Sequence, residues 1–377
     1  MKYYFIAGEA SGDLHASNLI RSLFRLDKGA RARGFGGELM GQAGMELIKH
    51  YREMAFMGFI PVLFNLSTIK NNFRICEQDL LTFCPDVLIL VDYPGFNLRM
   101  ARFAREHGIR VFYYISPKIW AWKSYRIKKI KAYVNEMFTI FPFETDFYRQ
   151  FNYPVNYVGN PVLDAVREKL PVRTKEQFFA ENHLPAKPVI AVLPGSRLQE
   201  IRSLLPRMLD AVCPVKSHQV IITVAPNIED NVYTDLVNGY EVTLLHGKTY
   251  DVLSQADVAV LASGTVSLEA GVIRCPQVVC YRMAGGALFF KIAQIVLKIK
   301  WVSLVNLILQ RSAVRELLQH RCQVKNIREE VNRILFDRSY RDKIEADYDE
   351  LVDLLGAPGA SDRAASMMIE KLGFGAS

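Results

Sequence analysis

Short apolar runs alternate with amphipathic stretches along this chain, and that alternation is typical of βαβ units built around a parallel sheet. Residues 86–92 (DVLILVD) give the clearest run, apolar between two aspartates, as expected of a strand buried on both faces. The same pattern predicts further strands and helices in the first half of the chain, at residues 2–7, 14–26, 98–107, 111–115 and 137–141. This half is therefore expected to fold as a doubly wound α/β domain.

The alternation stops near Gly159-Asn160-Pro161 and then starts again. Residues 170–188 are polar and carry three prolines, which predicts a connection. Strands and a helix are predicted beyond it, at 189–193, 200–212, 220–224, 258–262 and 277–281, and from 324 onward the pattern is helical. We therefore predict two Rossmann-like domains facing a cleft, residues 1–165 and 166–335. Helices over 336–377 would pack back on the first domain or exchange with a partner chain.

The composition narrows the function classes. Half of the 377 residues are hydrophobic and 23% are charged, which is typical of a folded globular protein. No run reaches the roughly 18 apolar residues of a membrane span, so a cytosolic chain or one on a membrane surface is expected. The six cysteines and seven histidines lack metal-ligand spacing, so no metal is expected. The formal net charge of +8 favours nucleic acid, anionic lipid or phosphorylated substrates as partners.

A turn bracketed by glycines follows the first strand and reads Gly8-Glu9-Ala10-Ser11-Gly12-Asp13. The glycines permit a tight turn, and the amides at the start of the next helix favour an anion. An ordinary turn in which Ser11 or Asp13 caps that helix explains the same residues. The spacing differs from the G-x-G-x-x-G dinucleotide fingerprint, which argues against a nicotinamide enzyme.

Asp92 directly follows the buried strand, on the side of the sheet where α/β domains bind ligands. A carboxylate there could accept the proton of an attacking hydroxyl, an effect worth about 10²–10⁴-fold in rate. Capping of the next helix, or fixing of the turn at Pro94, explains the residue equally well from spacing alone.

The first strand of the second domain ends in Pro194-Gly195-Ser196-Arg197. Gly195 and Ser196 can offer backbone amides to a phosphate, and Arg197 offers a planar fork suited to its oxygens. The structural alternative is a surface arginine paired with Glu200.

Ser263, Gly264 and Thr265 follow another predicted strand and open a helix, where free amides can hold a diphosphate. Glu269 lies within the first two turns of that helix and could accept the hydroxyls of a ribose. Simple helix capping, with Glu269 at the favourable end of the dipole, is the alternative.

Two stretches could contact lipid. Residues 118–131 hold six basic residues and no acidic one, and begin with Trp120 and Trp122. That composition suits a membrane interface, an anionic glycolipid or a nucleic-acid patch, and a solvated helix face with core tryptophans is the alternative.

The second stretch, residues 54–64, is more apolar than a cytosolic loop needs. Phe56, Met57 and Phe59 within it could receive acyl chains or dip into lipid. A buried helix pair is the structural alternative.

The order and spacing of these motifs resemble those of the lipid-A-disaccharide synthases, glycosyltransferases with the two-domain GT-B fold. The matching pieces lie between the first strand and about Gln319: Gly8–Asp13, Met57-Gly58, Asp92-x-Pro94-x-Phe96-Asn97, Tyr114-x-Ser116-Pro117-x-x-Trp120-Ala121-Trp122, Phe141–Glu144, Leu193–Arg197, Ala262–Thr265 with Glu269, and Tyr281-Arg282.

The resemblance implies that UDP-2,3-diacylglucosamine donates its sugar to the 6-hydroxyl of 2,3-diacylglucosamine 1-phosphate. A β-1,6 disaccharide phosphate and UDP result, with inversion and without a cofactor. Asp92 matches the family's catalytic acid, Arg197 the arginine of the donor diphosphate, and Asn306 an asparagine near the donor. Arg282 falls on the donor side, and residues 8–13 on the acceptor side.

The resemblance also implies a homodimer that exchanges C-terminal segments and sits peripherally on the cytosolic face of the inner membrane. Two residues depart from the family pattern: Val305 stands where a proline is common, and Gly95 where some members carry a second acid. The alternative functions are another GT-B UDP-sugar enzyme, such as a UDP-N-acetylglucosamine 2-epimerase, or a basic nucleic-acid-binding module. The resemblance argues against nucleic acid as a partner.

Overall fold

The computed structural model describes residues 1–54, 66–120, 124–170, 174–226, 228–282 and 300–373. Contacts divide the chain into two compact units, Met1–Pro161 with Ala357–Ser377, and Val162–Gly356. These limits differ from the expected boundaries at 165/166 and 335/336, because the helix Arg338–Leu355 packs within the second unit.

The first unit contains a parallel sheet of seven strands in the order β3-β2-β1-β4-β5-β6-β7. Its strands are β1 Lys2–Ala7, β2 Arg31–Gly36, β3 Glu46–His50, β4 Val87–Val91, β5 Arg110–Tyr114, β6 Glu136–Thr139 and β7 Asn156–Tyr157. Its helices up to residue 149 are α1 Ala10–Leu26, α2 Glu38–Gln42, α3 Leu66–Phe83, α4 Pro94–Glu106, α5 Ile127–Tyr133 and α6 Pro142–Arg149.

Alternating residues of the central strands form the core of the first unit. Tyr4 and Ile6 of β1 point to the same face as Leu88 and Leu90 of β4, where Phe73 of α3 packs beside them. All five are buried, and the residues between them pack on the opposite face. A sheet covered on both faces explains why its central strands are apolar throughout.

The second unit repeats this design with six parallel strands in the order β10-β9-β8-β11-β12-β13. Its strands are β8 Val189–Leu193, β9 Gln219–Val224, β10 Thr243–His246, β11 Val258–Ala262, β12 Gln277–Tyr281 and β13 Arg315–Leu318. Its helices are α7 Pro161–Lys169, α8 Lys175–Glu181, α9 Leu198–Val212, α10 Asp230–Val237, α11 Thr249–Gln255, α12 Thr265–Ile273, α13 Leu304–Leu309, α14 Val324–Phe336 and α15 Arg338–Leu355.

The C-terminal region is helical, as predicted, but its helices belong to different units. On α15, Leu351 packs so closely on Gly271 that a Cβ there would lie 2.8 Å from the leucine. The last helix, α16 Ala360–Leu372, packs instead along α1, where Ser22 donates a 2.5 Å hydrogen bond to Asp362. Gly356 to Gly359 connect the two helices.

Strand order locates the ligand-binding edge of each unit. In the first sheet the chain winds outward in one direction from β1 and in the other from β4, so the two strands flank a topological switch point. In the second sheet β8 and β11 flank the equivalent point. Open α/β sheets bind ligands beyond the carboxyl ends of such strands.

The prediction of two doubly wound α/β domains followed by helices is confirmed. Helix α1 begins at Ala10 rather than at residue 14, and α8 lies inside the stretch expected to be a connection. Across the described parts of the chain, no helix has the length and apolar character needed to cross a bilayer.

Candidate active site

The turns after β1 and β4 lie side by side at the first switch point, because Ala7 pairs with Val91 in the sheet. Gly8 follows β1, and Asp92 and Tyr93 follow β4. The Tyr93 ring packs on Gly8 so closely that a Cβ at position 8 would lie 2.3 Å from it. The glycine expected to approach a ligand is thus also required to accommodate a neighbouring ring.

Asp92 is held by its backbone in a conformation that costs energy. Its φ is +43° and that of Tyr93 is +45°, in the left-handed region that such residues rarely adopt. Its carbonyl accepts hydrogen bonds from Asn97 Nδ2, at 2.7 Å, and from the Tyr113 hydroxyl. The buried Asn97 amide therefore fixes the turn and the direction of the Asp92 side chain.

The Asp92 carboxylate is half-buried at the end of the sheet. Burial raises its pKa above the ordinary aspartate range, while the positive charge of Lys118 and the backbone amide of Tyr93 oppose the rise. A carboxylate with a raised pKa is a better proton acceptor at neutral pH than an exposed one. The site therefore fits the predicted role of a general base.

Of residues 8–13, only Gly8 and Glu9 precede α1. Ser11, Gly12 and Asp13 lie within the first turn of α1 and not in a loop. The Asp13 carboxylate is 2% exposed and accepts hydrogen bonds from the amides of Gly37 (2.9 Å), Leu39 (3.2 Å) and Met40 (3.0 Å). Asp13 therefore caps α2, a helix distant in sequence. The sequence had suggested that it caps its own helix, α1.

Glu9, Ser11 and Gly12 lie at the start of α1. Ser11 is exposed and Glu9 half-buried at the start of α1. Gly12 is buried beside the strand, and an added Cβ would make an ordinary van der Waals contact with the Ala7 Cβ, 3.4 Å away. Gly8, Glu9 and Ser11 remain candidates for acceptor contact.

A buried carboxylate that the sequence did not predict lies beside this edge. Glu144 is 1% exposed and accepts from Ser116 Oγ (2.5 Å), Trp120 Nε1 (3.3 Å) and the amide of Phe141 (3.0 Å). Burial raises its pKa from 4.5 to about 7, although these donors oppose the rise. The capping position of Glu144, two residues after Pro142, was the available signal.

The Trp120 ring is half-buried and packs edge-on against Phe143 with ring centroids 5.0 Å apart. It therefore has the partners of a structural tryptophan, and its role at a membrane stays a prediction. The other residues proposed for acyl or membrane contact lie outside the described residues: Phe56, Met57, Phe59 and Trp122.

The second switch point brings together the two loops predicted to bind the donor. Leu193 pairs with Leu261, and a Cβ at Gly195 would lie 3.4 Å from that of Ala262. Gly195 has φ +116°, and the same Cβ would lie 2.6 Å from the Glu200 carboxylate, so glycine is required.

Arg197 is 67% exposed, and its Nη1 donates to Glu200 Oε1 at 3.0 Å. The Arg197–Glu200 pair considered as an alternative is therefore present. Ser196 beside it is exposed. Because an exposed ion pair contributes only about 0–1 kcal/mol, Arg197 can exchange this partner for a phosphate at low cost.

Gly264 and Thr265 are exposed at the start of α12, where the first amides lack helical acceptors. Ser263 donates from Oγ to the carbonyl of Val302, 3.2 Å away. Its hydroxyl therefore fixes the loop, while the amides that follow can face an anion.

Glu269 is half-buried on α12, and its pKa is raised by burial. The Tyr250 hydroxyl donates to its carboxylate, and Tyr250 and the charge of Lys169 oppose the rise in its pKa. Tyr250 on α11 was not predicted, because a lone tyrosine in a polar stretch gives no motif.

The side chain of Asn306 makes its hydrogen bonds within the protein. It is fully buried, its Oδ1 accepts from the amides of Ala313 and Val314, and its Nδ2 donates to the Val314 carbonyl and to Glu316. Glu316 also accepts the amides of Val302 and Ser303. Asn306 thus helps to build the scaffold that holds Val302 against the loop at Ser263, and its contact with the donor stays a prediction.

Arg282 follows β12 and is half-buried. Its Nη1 lies 3.5 Å from the Gln319 carbonyl at the neighbouring strand end. Among the described residues, no three His, Cys, Asp or Glu side chains are grouped to hold a metal ion.

The fold is shared with an epimerase and a glycosyltransferase of low sequence identity. The UDP-GlcNAc 2-epimerase of Neisseria meningitidis, solved with UDP-GlcNAc, superimposes with a TM-score of 0.64 at 14% identity over 99% of both chains. The calicheamicin glycosyltransferase CalG4 gives 0.61 at 15% identity, over 100% of this chain and 99% of that one. These likenesses establish the fold alone.

Sequence comparison is more specific. The lipid-A-disaccharide synthase of Geobacter sulfurreducens is 35% identical over 375 residues, covering 98% of this chain and 96% of that protein. The enzyme of the same name from Myxococcus xanthus is 38% identical over 97% and 96%. The family model for lipid-A-disaccharide synthetase matches residues 3–370. This chain therefore belongs to the lipid-A-disaccharide synthetase family.

Proposed function

We propose that this chain is an inverting glycosyltransferase of lipid A biosynthesis. It would join UDP-2,3-diacylglucosamine to 2,3-diacylglucosamine 1-phosphate through a β-1,6 bond, giving lipid A disaccharide 1-phosphate and UDP. Family membership supports lipid A disaccharide synthesis over a 2-epimerase or a nucleic-acid-binding module. The observation that carries the mechanism is the fixed, half-buried Asp92 carboxylate at a switch point.

The donor would bind to the second unit. Glu269, held by Tyr250, would accept the two ribose hydroxyls. The amides at Ser263, Gly264 and Thr265 would receive the diphosphate. Their position at the start of α12 supports this assignment, since the helix dipole favours negative charge there.

Arg197 would leave Glu200 and donate to the diphosphate, with the amides of Gly195 and Ser196 nearby. Its high exposure supports this role, and so does its position two residues after Gly195, which lies close to Ala262. Arg282 would add charge at the next strand end. These groups would offset the negative charge that grows on departing UDP, so we propose that transfer needs no metal ion.

The acceptor would bind to the first unit near Gly8, Glu9 and Ser11. Asp92 would accept the proton of the 6-hydroxyl while that oxygen forms a bond to the anomeric carbon of the donor. The bond from this carbon to the phosphate oxygen breaks in the same step, and UDP leaves with the electron pair. Displacement from the opposite face inverts the configuration.

Two further proposals concern assembly. The acylated substrates support a location on the cytosolic face of the inner membrane. A homodimer with exchanged C-terminal segments is supported by α16, which contacts α1 and follows the glycine- and proline-containing link Gly356–Gly359. Mass measurement in solution, and mixing of two differently tagged chains, would test the dimer.

A transfer assay tests the function. Purified protein should convert the two acylated substrates into disaccharide phosphate and UDP, with one UDP released per disaccharide. A donor without acyl chains should react poorly, and epimerisation of UDP-N-acetylglucosamine should be undetectable. Efficient turnover of the deacylated donor would favour an enzyme of soluble sugars. Duplex DNA should not bind at moderate salt; tight, steeply salt-dependent binding would support the nucleic-acid alternative.

A further inference from the structure

The loop after β5, residues 115–120, borders the turn that carries Asp92. Strands β4 and β5 are neighbours in the sheet, and the Asp92 amide donates to the Tyr114 carbonyl at 3.3 Å. Lys118 lies in the middle of this loop and is exposed. Its positive charge acts on the Asp92 carboxylate. The loop therefore presents a cation within electrostatic reach of the candidate base, at the carboxyl edge of the sheet.

This loop is held in place on both sides of Lys118 by the buried carboxylate of Glu144. Ser116 Oγ donates to Glu144 Oε1 at 2.5 Å, and Trp120 Nε1 donates to the same oxygen at 3.3 Å. The second oxygen, Oε2, accepts two backbone amides that follow β6, at 3.2 and 3.0 Å. Because the backbone around Lys118 is fixed in advance, a ligand that binds there loses less free energy in ordering the loop.

The Lys118 ammonium is available to a ligand. Within the ranges that the structure describes, no carboxylate forms an ion pair with it, although its charge reaches Asp92. Arg197, by contrast, must first leave Glu200 before it can bind an anion. An exposed ammonium without an ion-pair partner can donate charge-assisted hydrogen bonds to phosphate oxygens at little cost.

The amides at the start of α1 are the other place near Asp92 that could receive an anion. Glu9 directly precedes this helix, and its negative charge acts on Tyr93, the residue next to Asp92. A carboxylate at that position repels a phosphate and accepts hydrogen bonds from sugar hydroxyls instead. Charge therefore favours Lys118 over the start of α1 as the place for a phosphate.

The proposed acceptor carries a reacting hydroxyl and a phosphate close together. Its 1-phosphate and the carbon that bears its 6-hydroxyl are attached to the two ring carbons that flank the ring oxygen, so the two groups lie only a few ångströms apart. A phosphate monoester carries about −1.5 to −2 charges at neutral pH. A carboxylate base and an ammonium group on adjacent strand ends match this pair in charge and in spacing.

We propose that Lys118 binds the 1-phosphate of the acceptor while Asp92 accepts the proton of its 6-hydroxyl. Lys118 is then a specificity-determining residue, because it makes the enzyme select a phosphorylated acceptor. The inference rests on the proposed function, since it assigns a residue to the acceptor of that reaction.

The test measures the preference for a phosphorylated acceptor, defined as the ratio of kcat/KM for the acylated acceptor with and without its 1-phosphate. The assay uses neutral detergent micelles. Lys118→Gln should lower this preference about tenfold, and Lys118→Arg, which keeps the charge, should hold it within about threefold of the wild type. Lys28→Gln is the control. Lys28 is exposed and follows Asp27, which binds the amino group of Met1 at the opposite edge of the same sheet.

The ratio separates phosphate binding from an effect on the base. A change in Asp92 alone would lower the turnover of both acceptors alike, because both use the same base, and would leave the ratio unchanged. An equal loss of kcat/KM for the two acceptors in Lys118→Gln would therefore overturn the proposal. So would a preference that falls as far in Lys118→Arg or in Lys28→Gln as in Lys118→Gln. Circular dichroism and thermal melting check that the variants fold.

Vesicles of phosphatidylglycerol form a second arm, because a lipid headgroup also carries a phosphate. If Lys118→Gln loses sedimentation with these vesicles but keeps the wild-type preference in detergent, Lys118 contacts the membrane and the proposal fails. Failure of the proposed function is recognised separately, because the wild type would then release no UDP with either acceptor.

Discussion

The ring of Tyr93 covers the backbone of Gly8, and a Cβ atom on Gly8 would lie 2.3 Å from that ring. The tyrosine is not free to move away, because its hydroxyl donates to the Met54 carbonyl at 3.0 Å. The contact locks the turn after β1 to the turn that presents Asp92. The position of the Asp92 carboxylate after β4 therefore depends on Gly8, which lies in the turn after β1.

Gly8→Ala should therefore destabilise the protein by about 1–3 kcal/mol through overpacking, and lower turnover more than substrate affinity. Gly95→Ala is the matched control, because an added Cβ there meets nothing within 4 Å. Denaturant unfolding and steady-state kinetics measure both effects. A Gly8→Ala protein with unchanged stability and turnover would show that Tyr93 relaxes freely.

Asp13→Ala should destabilise the first unit by about 2 kcal/mol or more, because three backbone amides lose a charged, buried acceptor. Ser11→Ala, an exposed change in the same turn, should leave the free energy of unfolding within about 0.5 kcal/mol. Urea unfolding distinguishes them. Activity loss in Asp13→Ala without lower stability would instead point to direct substrate contact.

Asp92→Asn should lower kcat by about 10²–10⁴-fold while the protein stays folded. In the wild type, kcat should fall as pH drops through the raised pKa of Asp92, at a higher pH than an exposed aspartate would require. Lys118 opposes that rise in pKa, so Lys118→Gln should move the acidic limb to higher pH. A limb that does not move would mean that another group controls it.

Tyr250→Phe should weaken UDP binding about three- to tenfold, because Glu269 loses the hydroxyl that orients it. The same hydroxyl opposes the rise in the Glu269 pKa, so affinity should fall at a higher pH in the variant as the solution is acidified. Tyr240→Phe, which removes a hydroxyl bonded to Asp210, is the control. Calorimetric titration across pH 5–8 would show whether the two variants differ.

Glu144→Gln should change how stability depends on pH. In the folded protein the pKa of Glu144 is about 7 against an ordinary 4.5, so the native state holds its proton more tightly. That stabilisation is complete below about pH 4.5 and is lost as pH rises through 7. Between pH 5 and 8 the free energy of unfolding of the neutral variant should therefore rise relative to that of the wild type, by up to about 3 kcal/mol.

Thermal melting across this pH range measures the gain. Asp146→Asn, an exposed change on the same helix, controls for the removal of one negative charge. A constant difference between Glu144→Gln and wild type at every pH would rule out titration of Glu144 in this window.

The central strands could be predicted because burial on both faces forces a run such as 87–91 to be apolar. The edge strands β3, β10 and β13 could not, because they are short or carry charged residues, as in Glu46–His50. Strand β2 was missed for another reason. Its Gly34 has φ +148° and a Cβ there would lie 2.0 Å from the Phe5 carbonyl oxygen, so a close backbone approach replaced the usual apolar pattern.

The candidate site was also predicted only in part. Asp92, Arg197 and Ser263 could be placed at strand ends because a parallel sheet brings its carboxyl ends to one edge. The hydrogen bonds of Asp13 and Asn306 could not be predicted. Each side chain bonds to backbone amides whose positions depend on the folded structure and not on a local sequence motif. Hydrogen bonds of this kind carry no periodicity.

The four internal hydrogen bonds of Asn306 also matter for inhibitor design. A compound built to engage that amide would have to displace bonds the protein already makes, and would gain little affinity. Polar groups of an inhibitor are better directed at Ser196, Arg197 and Thr265, which are exposed at the same edge. A substitution of Asn306 that conferred resistance would also break these hydrogen bonds and so disturb the enzyme's own scaffold.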